Sequence, residues 1–142
     1  MPELRSLVIV LGDQLDRHSS AFDDFDPARD SVWMAETVEE STHVWSAKQR
    51  IAIFLTAMRH FADDLRTAGM PLDYTRLGRE TRSGSMSAAL SDAIDRLKPQ
   101  RLVMCAPGDW RVYQSLREVA AHAGLVLDVR EDRHFFGTVR EF

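Results

Sequence analysis

The chain has one cysteine, Cys105, in 142 residues. That excludes an internal disulfide and any cysteine-rich metal cluster built from this chain alone. Other metal signatures are missing too: there is no HExxH or CxxC, and the five histidines (His18, His43, His60, His122, His134) are scattered. No GxGxxG follows the first apolar run and no GxxxxGKS/T occurs, which argues against a standard dinucleotide or nucleoside triphosphate site. A GxSxG nucleophile elbow is absent as well. No apolar run approaches the roughly 20 residues of a membrane span, and the N-terminus lacks a charged-then-apolar signal pattern, so we expect a cytoplasmic protein with no membrane role. An excess of positive charge is also lacking. With 18 Lys and Arg against 22 Asp and Glu the net charge is −4, so any contact with DNA requires a local basic patch or another domain.

What is present is an ordinary globular composition, 44% hydrophobic and 28% charged, in a length that fits one domain with a real core. Five short apolar runs read as strands: Leu7 to Leu11, Ser31 to Glu36, Pro71 to Leu77, Arg101 to Ala106 and Leu125 to Val129. The first does not alternate, as a strand buried on both faces would not; the third alternates more and suits a place nearer an edge. Between the second and third lies the longest helix candidate, Thr42 to Gly69. Its apolar residues Val44, Ile51, Phe54, Leu55, Met58, Phe61 (or Ala62) and Leu65 recur at three- and four-residue steps, and Gly69 before Pro71 is a stop signal. Ser85 to Leu97, ended by Pro99, and Asp109 to Ala123, ended by Gly124, read as two further helices. The polar stretch Gly78 to Ser87 reads as a surface loop. Strand and helix in alternation predict an α/β fold: a three-layer Rossmann-like domain with a central five-stranded parallel sheet and helices on both faces.

Ligands of such sheets bind at the carboxyl ends of strands. That points to Gly12-Asp13-Gln14, to Ala35-Glu36 and onward to Glu40, to the segment after Leu77, and to Ala106 to Trp110. Asp13 and Glu36 or Glu40 could be neighbours there, able to bond a ring N–H or a polyol, or to do acid/base work. Glu39 and Glu40 also suit the first turn of a helix, whose positive end favours acids. Lys48, Arg50, Arg59 and His60 spread around the long helix and read as a solvated face. Trp33, Trp45 and Trp110 read as packed aromatics in the core or at a domain interface, Cys105 as a buried, inert thiol, and Asp109 as a helix cap.

Several stretches taken together resemble one family: "LVIVLGDQLD", "DSVWMAETVEEST", "KQRIAIFLTAMRHFADDLRTAGMPLDYTRL", "APGDWRV" and "EDRHFF". In order and separation they are similar to the N-terminal antenna domain of the bacterial cryptochrome and deoxyribodipyrimidine photolyase-related proteins, the branch that includes iron–sulfur (6-4) photolyases. The resemblance runs from about Leu7 to about Phe136; its most specific pieces are the LGDQL strand exit and the AMRHFADDLR helix.

The resemblance implies a light-harvesting domain holding a ribityllumazine-type chromophore. It also implies a separate C-terminal helical domain, expected to be absent from this chain, that carries FAD, a 4Fe-4S cluster and the DNA contact. Excited FAD then donates an electron to a DNA photoproduct. No catalytic residue and no metal ligand is expected in this chain. Carried over by position, the chromophore pocket would use Gly12, Asp13, Gln14 and Leu15 after the first strand, and Met34, Ala35, Glu36 and Glu40 after the second. The helix face with Ile51 and Phe54 completes it. Asp13 and Glu40 would meet ring or ribityl donors, and Met34, Ile51 and Phe54 would form walls. Against relatives, the chain has Trp45-Ser46-Ala47-Lys48 where a His-His-Lys run is common, and Phe54 where a smaller aliphatic is common. The alternative is therefore a chromophore-free interaction or regulatory domain, its slot filled by Phe54 and Trp45. A nucleotide- or small-molecule-binding α/β domain of unrelated function is a third reading.

Overall fold

The computed structural model describes residues 4–12, 14–36, 48–75, 86–107 and 110–131; within these, the side chains of residues 48–51, 54 and 75 lie outside the description. Strands β1 (Ser6–Ile9), β2 (Asp30–Ala35), β3 (Leu72–Thr75), β4 (Arg101–Cys105) and β5 (Val126–Arg130) are joined by helices α1 (Lys48–Thr67), α2 (Met86–Leu97) and α3 (Trp110–Ala123). All described pairings are parallel, in the order β3-β2-β1-β4-β5. This is the α/β fold expected, with β3 at an edge as its alternation implied.

Residue chemistry explains the layering. In β1, Leu7 and Ile9 enter a core with Leu90, Ala93 and Ile94 of α2 and with Leu116 and Ala120 of α3. Val8 and the adjoining Val10 enter a second core with Met58, Phe61, Ala62 and Leu65 of α1 and with Ala21. Every β1 residue is buried, so the strand needs a cover on each face, and an uninterrupted apolar run supplies both. The apolar period seen in the sequence of the long helix is the face that α1 buries from Met58 onward. Gly69 (φ +78°) and Gly124 (φ +73°) end α1 and α3 in the left-handed conformation. After each, an N–H reaches back five residues, from Met70 to the Leu65 carbonyl and from Leu125 to the Ala120 carbonyl, at 3.0 and 2.9 Å.

Two readings are narrowed by the structure. Met86 and Ser87, which the loop reading to Ser87 and the helix reading from Ser85 both covered, belong to the first turn of α2. Trp110, read as a core or domain-interface aromatic, is not in the core: it is 64% exposed at the start of α3 and stacks on Tyr113 with ring centroids 5.3 Å apart. Aromatic stacking along one helix face gives it a neighbour without burial. Trp33 is fully buried and Cys105 is a buried free thiol, as expected. Trp45, the loop up to Ser85 and the Asp109 cap lie outside the described residues. No described helix is long and apolar enough to cross a membrane.

The β1–β2 connection carries only a short 3-10 turn, Ser20–Phe22, so charge does part of what a helix would do by packing. Asp24 accepts from Arg101 at 2.7 Å and from Arg130 at 2.8 Å, and Arg130 also donates to the Ser20 carbonyl at 2.9 Å. Arg5 forks onto the buried Asp30, its Nε 2.9 Å from Oδ1, which ties the start of β1 to the start of β2. Hydrogen bonds from Arg130 and Arg101 hold the Asp24 carboxyl well below its ordinary value. For Asp30, burial pushes upward, but the Arg5 hydrogen bond and the Asp26 N–H outweigh it and the net direction is down.

Both acids are depressed from an ordinary value of 3.8. Their contribution to stability is therefore complete above that value and is lost as the pH falls through the lower folded values. We expect the thermal midpoint to fall with acid below about pH 4. In Asp24→Asn the fall should be shallower, because one of the two linked protonations is gone. Calorimetry across that range checks it; an equal acid slope in the variant would refute the linkage.

Candidate functional site

The strand order reverses between β1 and β4, and sheets of this kind take ligands outside the carboxyl ends of strands near such a reversal. After β1 the chain passes through buried Leu11 and Gly12, and the Gln14 N–H closes a turn onto the Leu11 carbonyl at 2.9 Å. The Gln14 side chain crosses to β4: its Nε2 donates to the carbonyls of Cys105 and Ala106 at 3.2 and 3.3 Å. Two acceptors on that side fix the orientation of the amide. Gln14 Oε1 is then buried and without a hydrogen-bond partner among the described residues. Leaving such an acceptor unmet costs about 1–3 kcal/mol, so a donor, an N–H or a hydroxyl, is favoured beside it.

At the carboxyl end of β2 lies Glu36, 1% exposed. A carboxylate removed from water needs charge and hydrogen bonds to replace it. Arg59 of α1 supplies both, with Nε 2.9 Å from Oε2 and Nη2 2.9 Å from Oε1. The Tyr74 hydroxyl of β3 donates to Oε2. The hydrogen bond to Glu36 raises the Arg59 pKa further above its ordinary value. Burial first, and the Glu36 carboxylate second, push the Tyr74 phenol up, so it stays a donor. One acid thereby links β2, α1 and β3 through three side chains, Glu36, Arg59 and Tyr74.

The proposed pocket residues divide by face. Met34 and Glu36 project to the α1 side, where Leu15 also packs against the core. Ala35, between them, projects into the opposite core with α2 and α3, because successive residues of a strand alternate. Met34 is fully buried. Gly12 and Gln14 stand at the β1 exit, one strand away from Glu36. Ile51 and Phe54 belong to α1, with side chains outside the description; Asp13 and Glu40 lie outside the described residues altogether.

Arg59 and Tyr74 were not anticipated. Arg59 was read with a solvated face, yet its side chain is only 42% exposed and its head is bound to Glu36. The available signal was an acid ending an apolar strand: if buried, it demands a cation, and Arg59 adjoins Met58 on the apolar stripe of α1. Among the described residues no group of three or more acidic, histidine or cysteine side chains could hold a metal.

Strand order and layering define a doubly wound α/β domain, with Gln14 and Glu36 at the carboxyl edge of its sheet. A family profile described as "Deoxyribodipyrimidine photo-lyase-related protein" matches residues 8–142, and the chain belongs to that family. It is also 37% identical over 139 residues to a protein named (6-4) photolyase from Agrobacterium fabrum (strain C58 / ATCC 33970). That match covers 98% of this chain and 27% of the relative, in its N-terminal part.

Removing Arg59 leaves the Glu36 charge buried without its counter-ion. We expect Arg59→Met to cost roughly 2–3 kcal/mol, below the value for a fully buried pair because part of the arginine stays in water. Tyr74→Phe should cost about 1 kcal/mol, one hydrogen bond to a carboxylate that keeps its cation. Urea denaturation measures both; equal losses would show that charge is not what Arg59 supplies.

Proposed function

We propose that this domain is the chromophore-binding, light-harvesting part of a photolyase- or cryptochrome-like flavoprotein. In its full-length form such a protein carries out light-driven repair of a DNA photoproduct. The observation that carries the reading is membership of the photolyase-related family over residues 8–142, together with 37% identity to the N-terminal part of a (6-4) photolyase. The relative is much longer than the matched segment, which is 27% of it. FAD, the 4Fe-4S cluster and the DNA contact are assigned to that remaining length. Consistent with this, the single cysteine here cannot ligate a cluster that takes four.

A ribityllumazine-type chromophore is the ligand proposed for the carboxyl edge. Two features of the chain fit it. Gln14 Oε1 is a buried acceptor without a partner among the described residues, suited to a ring N–H or a ribityl hydroxyl. The apolar stripe of α1 continues in sequence through Leu55, Phe54 and Ile51 toward the helix start, as a wall for a flat ring. When bound, the chromophore would absorb light and pass excitation to the flavin. Asp13 and Glu40 would bond its polar groups, Gly12 would let the backbone approach, and Met34 would back the ring.

Fluorescence titration with a ribityllumazine tests the assignment. We expect saturable binding, weakened roughly five- to tenfold by Asp13→Ala and by Glu40→Ala, the effect of one hydrogen bond each. Binding untouched by both changes would remove those residues from the site. Absence of binding in the wild type, restored by Phe54→Ala, would instead establish the chromophore-free domain with a filled slot.

A further inference from the structure

The described strands end in β3 on one side of the sheet and β5 on the other, and neither has a further neighbour among the described residues. Such an edge offers backbone N–H and C=O groups to any strand that meets it. The ladder decides which residues make the offer. At one end the Ala106 N–H donates to the Arg130 carbonyl at 2.7 Å. Arg130 and Asp128 therefore turn their backbone groups toward β4, and Leu127 and Val129 turn theirs outward. At the other end the Val32 N–H donates to the Pro71 carbonyl at 2.8 Å, so Asp73 faces β2 and Leu72 and Tyr74 face outward.

Around β5 the surface is apolar as well. Val126 is 70% exposed, and a groove beside the strand is lined by Tyr113, Ala120, Ala121, Leu125, Leu127 and Val129. Yet each edge strand holds an aspartate between its two outward residues, Asp73 in Leu72–Thr75 and Asp128 in Val126–Arg130. Aspartate is a poor strand residue. The inner strands carry charge only at a first position, Asp30 of β2 and Arg101 of β4, and β1 carries none. Arginines of the same chain hold both edge acids in place: Arg96 of α2 stands 3.0 Å from Asp73, and Arg130 stands 3.1 Å from Asp128.

The place of each acid governs what can pair there. An antiparallel β5 from a second copy uses both outward residues when Leu127 faces Val129 of the copy and Val129 faces Leu127. That register sets Asp128 against Asp128 in the closely spaced pair, with Cα atoms about 4.5 Å apart. In the same way β3 on β3 sets Asp73 against Asp73, and β3 on β5 sets Asp73 against Asp128. Like charges directly opposite are destabilising, and pairing also takes water from both carboxylates. Sliding the register avoids the opposition, but then one outward residue lies beyond the end of the facing strand.

We propose that Asp73 and Asp128 keep the two edges of the sheet from pairing with those of a second copy. Sedimentation equilibrium on the whole chain tests it. We expect the wild type to be monomeric and Asp128→Val to form dimers, associating at least tenfold more tightly. Adding Val129→Pro removes an outward N–H that the ladder does not use, and should return Asp128→Val to the monomer. Combining Asp73→Val with Asp128→Val opens both edges of every copy, so dimers should extend into longer chains. The role of Asp128 is overturned if Asp128→Val associates no more than wild type, or if its association survives Val129→Pro. A wild-type dimer that Val129→Pro abolishes overturns it too. Dimers that do not grow with the second substitution overturn the role of Asp73. Should Asp128→Val fail to fold, Asp128→Asn removes the charge at nearly constant size, with tighter association again expected.

Discussion

No residue of β1 has a face for water. Leu7 and Ile9 on one side and Val8 on the other are at most 2% exposed, each worth about 1.5–3 kcal/mol when removed from solvent. A strand of that kind is stable only between two covering layers, and parallel neighbours on both edges follow from its central place. The order β3-β2-β1-β4-β5 meets the demand: α1 and the 3-10 turn close one face, α2 and α3 the other. The reversal of winding between β1 and β4 is a by-product of that closure. Gln14 spans the two strands at that reversal.

Charge completes what packing leaves undone. Where the β1–β2 connection lacks a helix, Asp24 with Arg101 and Arg130 draws it onto the sheet, and Arg5 with Asp30 joins the amino ends of two strands. At the carboxyl edge the same device recurs in a drier setting, with Glu36, Arg59 and Tyr74. The amino-edge contacts serve the fold. The carboxyl-edge contact stands at the strand ends, the edge at which sheets of this class take ligands. Its strength comes from the absence of water: a carboxylate at 1% exposure has no competing solvent to exchange its arginine for.

Much of this was legible in the residues. The unbroken run of β1, the alternation of β3 and the glycine stops of α1 and α3 each translated directly into an element, because each depends on local periodicity or on a backbone conformation that few residues adopt. The Gly12 to Gln14 exit was recognisable as a strand end at the carboxyl edge, where sheets of this class take ligands. What Gln14 does there was not. Its partners, the Cys105 and Ala106 carbonyls, are some ninety residues away in sequence. The same holds for Arg59, whose place on the helix looked like a solvated edge until β2 brought Glu36 beneath it. For Trp110 the residues left core and domain interface open, since an aromatic at a helix start carries no sign of whether anything covers it.

By itself, then, the sequence determined the class of fold, the places where strands end, the absence of a cluster-forming cysteine set and the family. These are properties of spacing and composition, which a chain possesses before it folds. Only the tertiary structure decided which face each strand residue serves, that Ala35 is turned away from Met34 and Glu36, and that Glu36 is held by Arg59 and Tyr74. Those outcomes depend on which distant segments meet. A charge or amide has its chemical meaning set by the dielectric and the partners around it, and these exist only once the layers have closed.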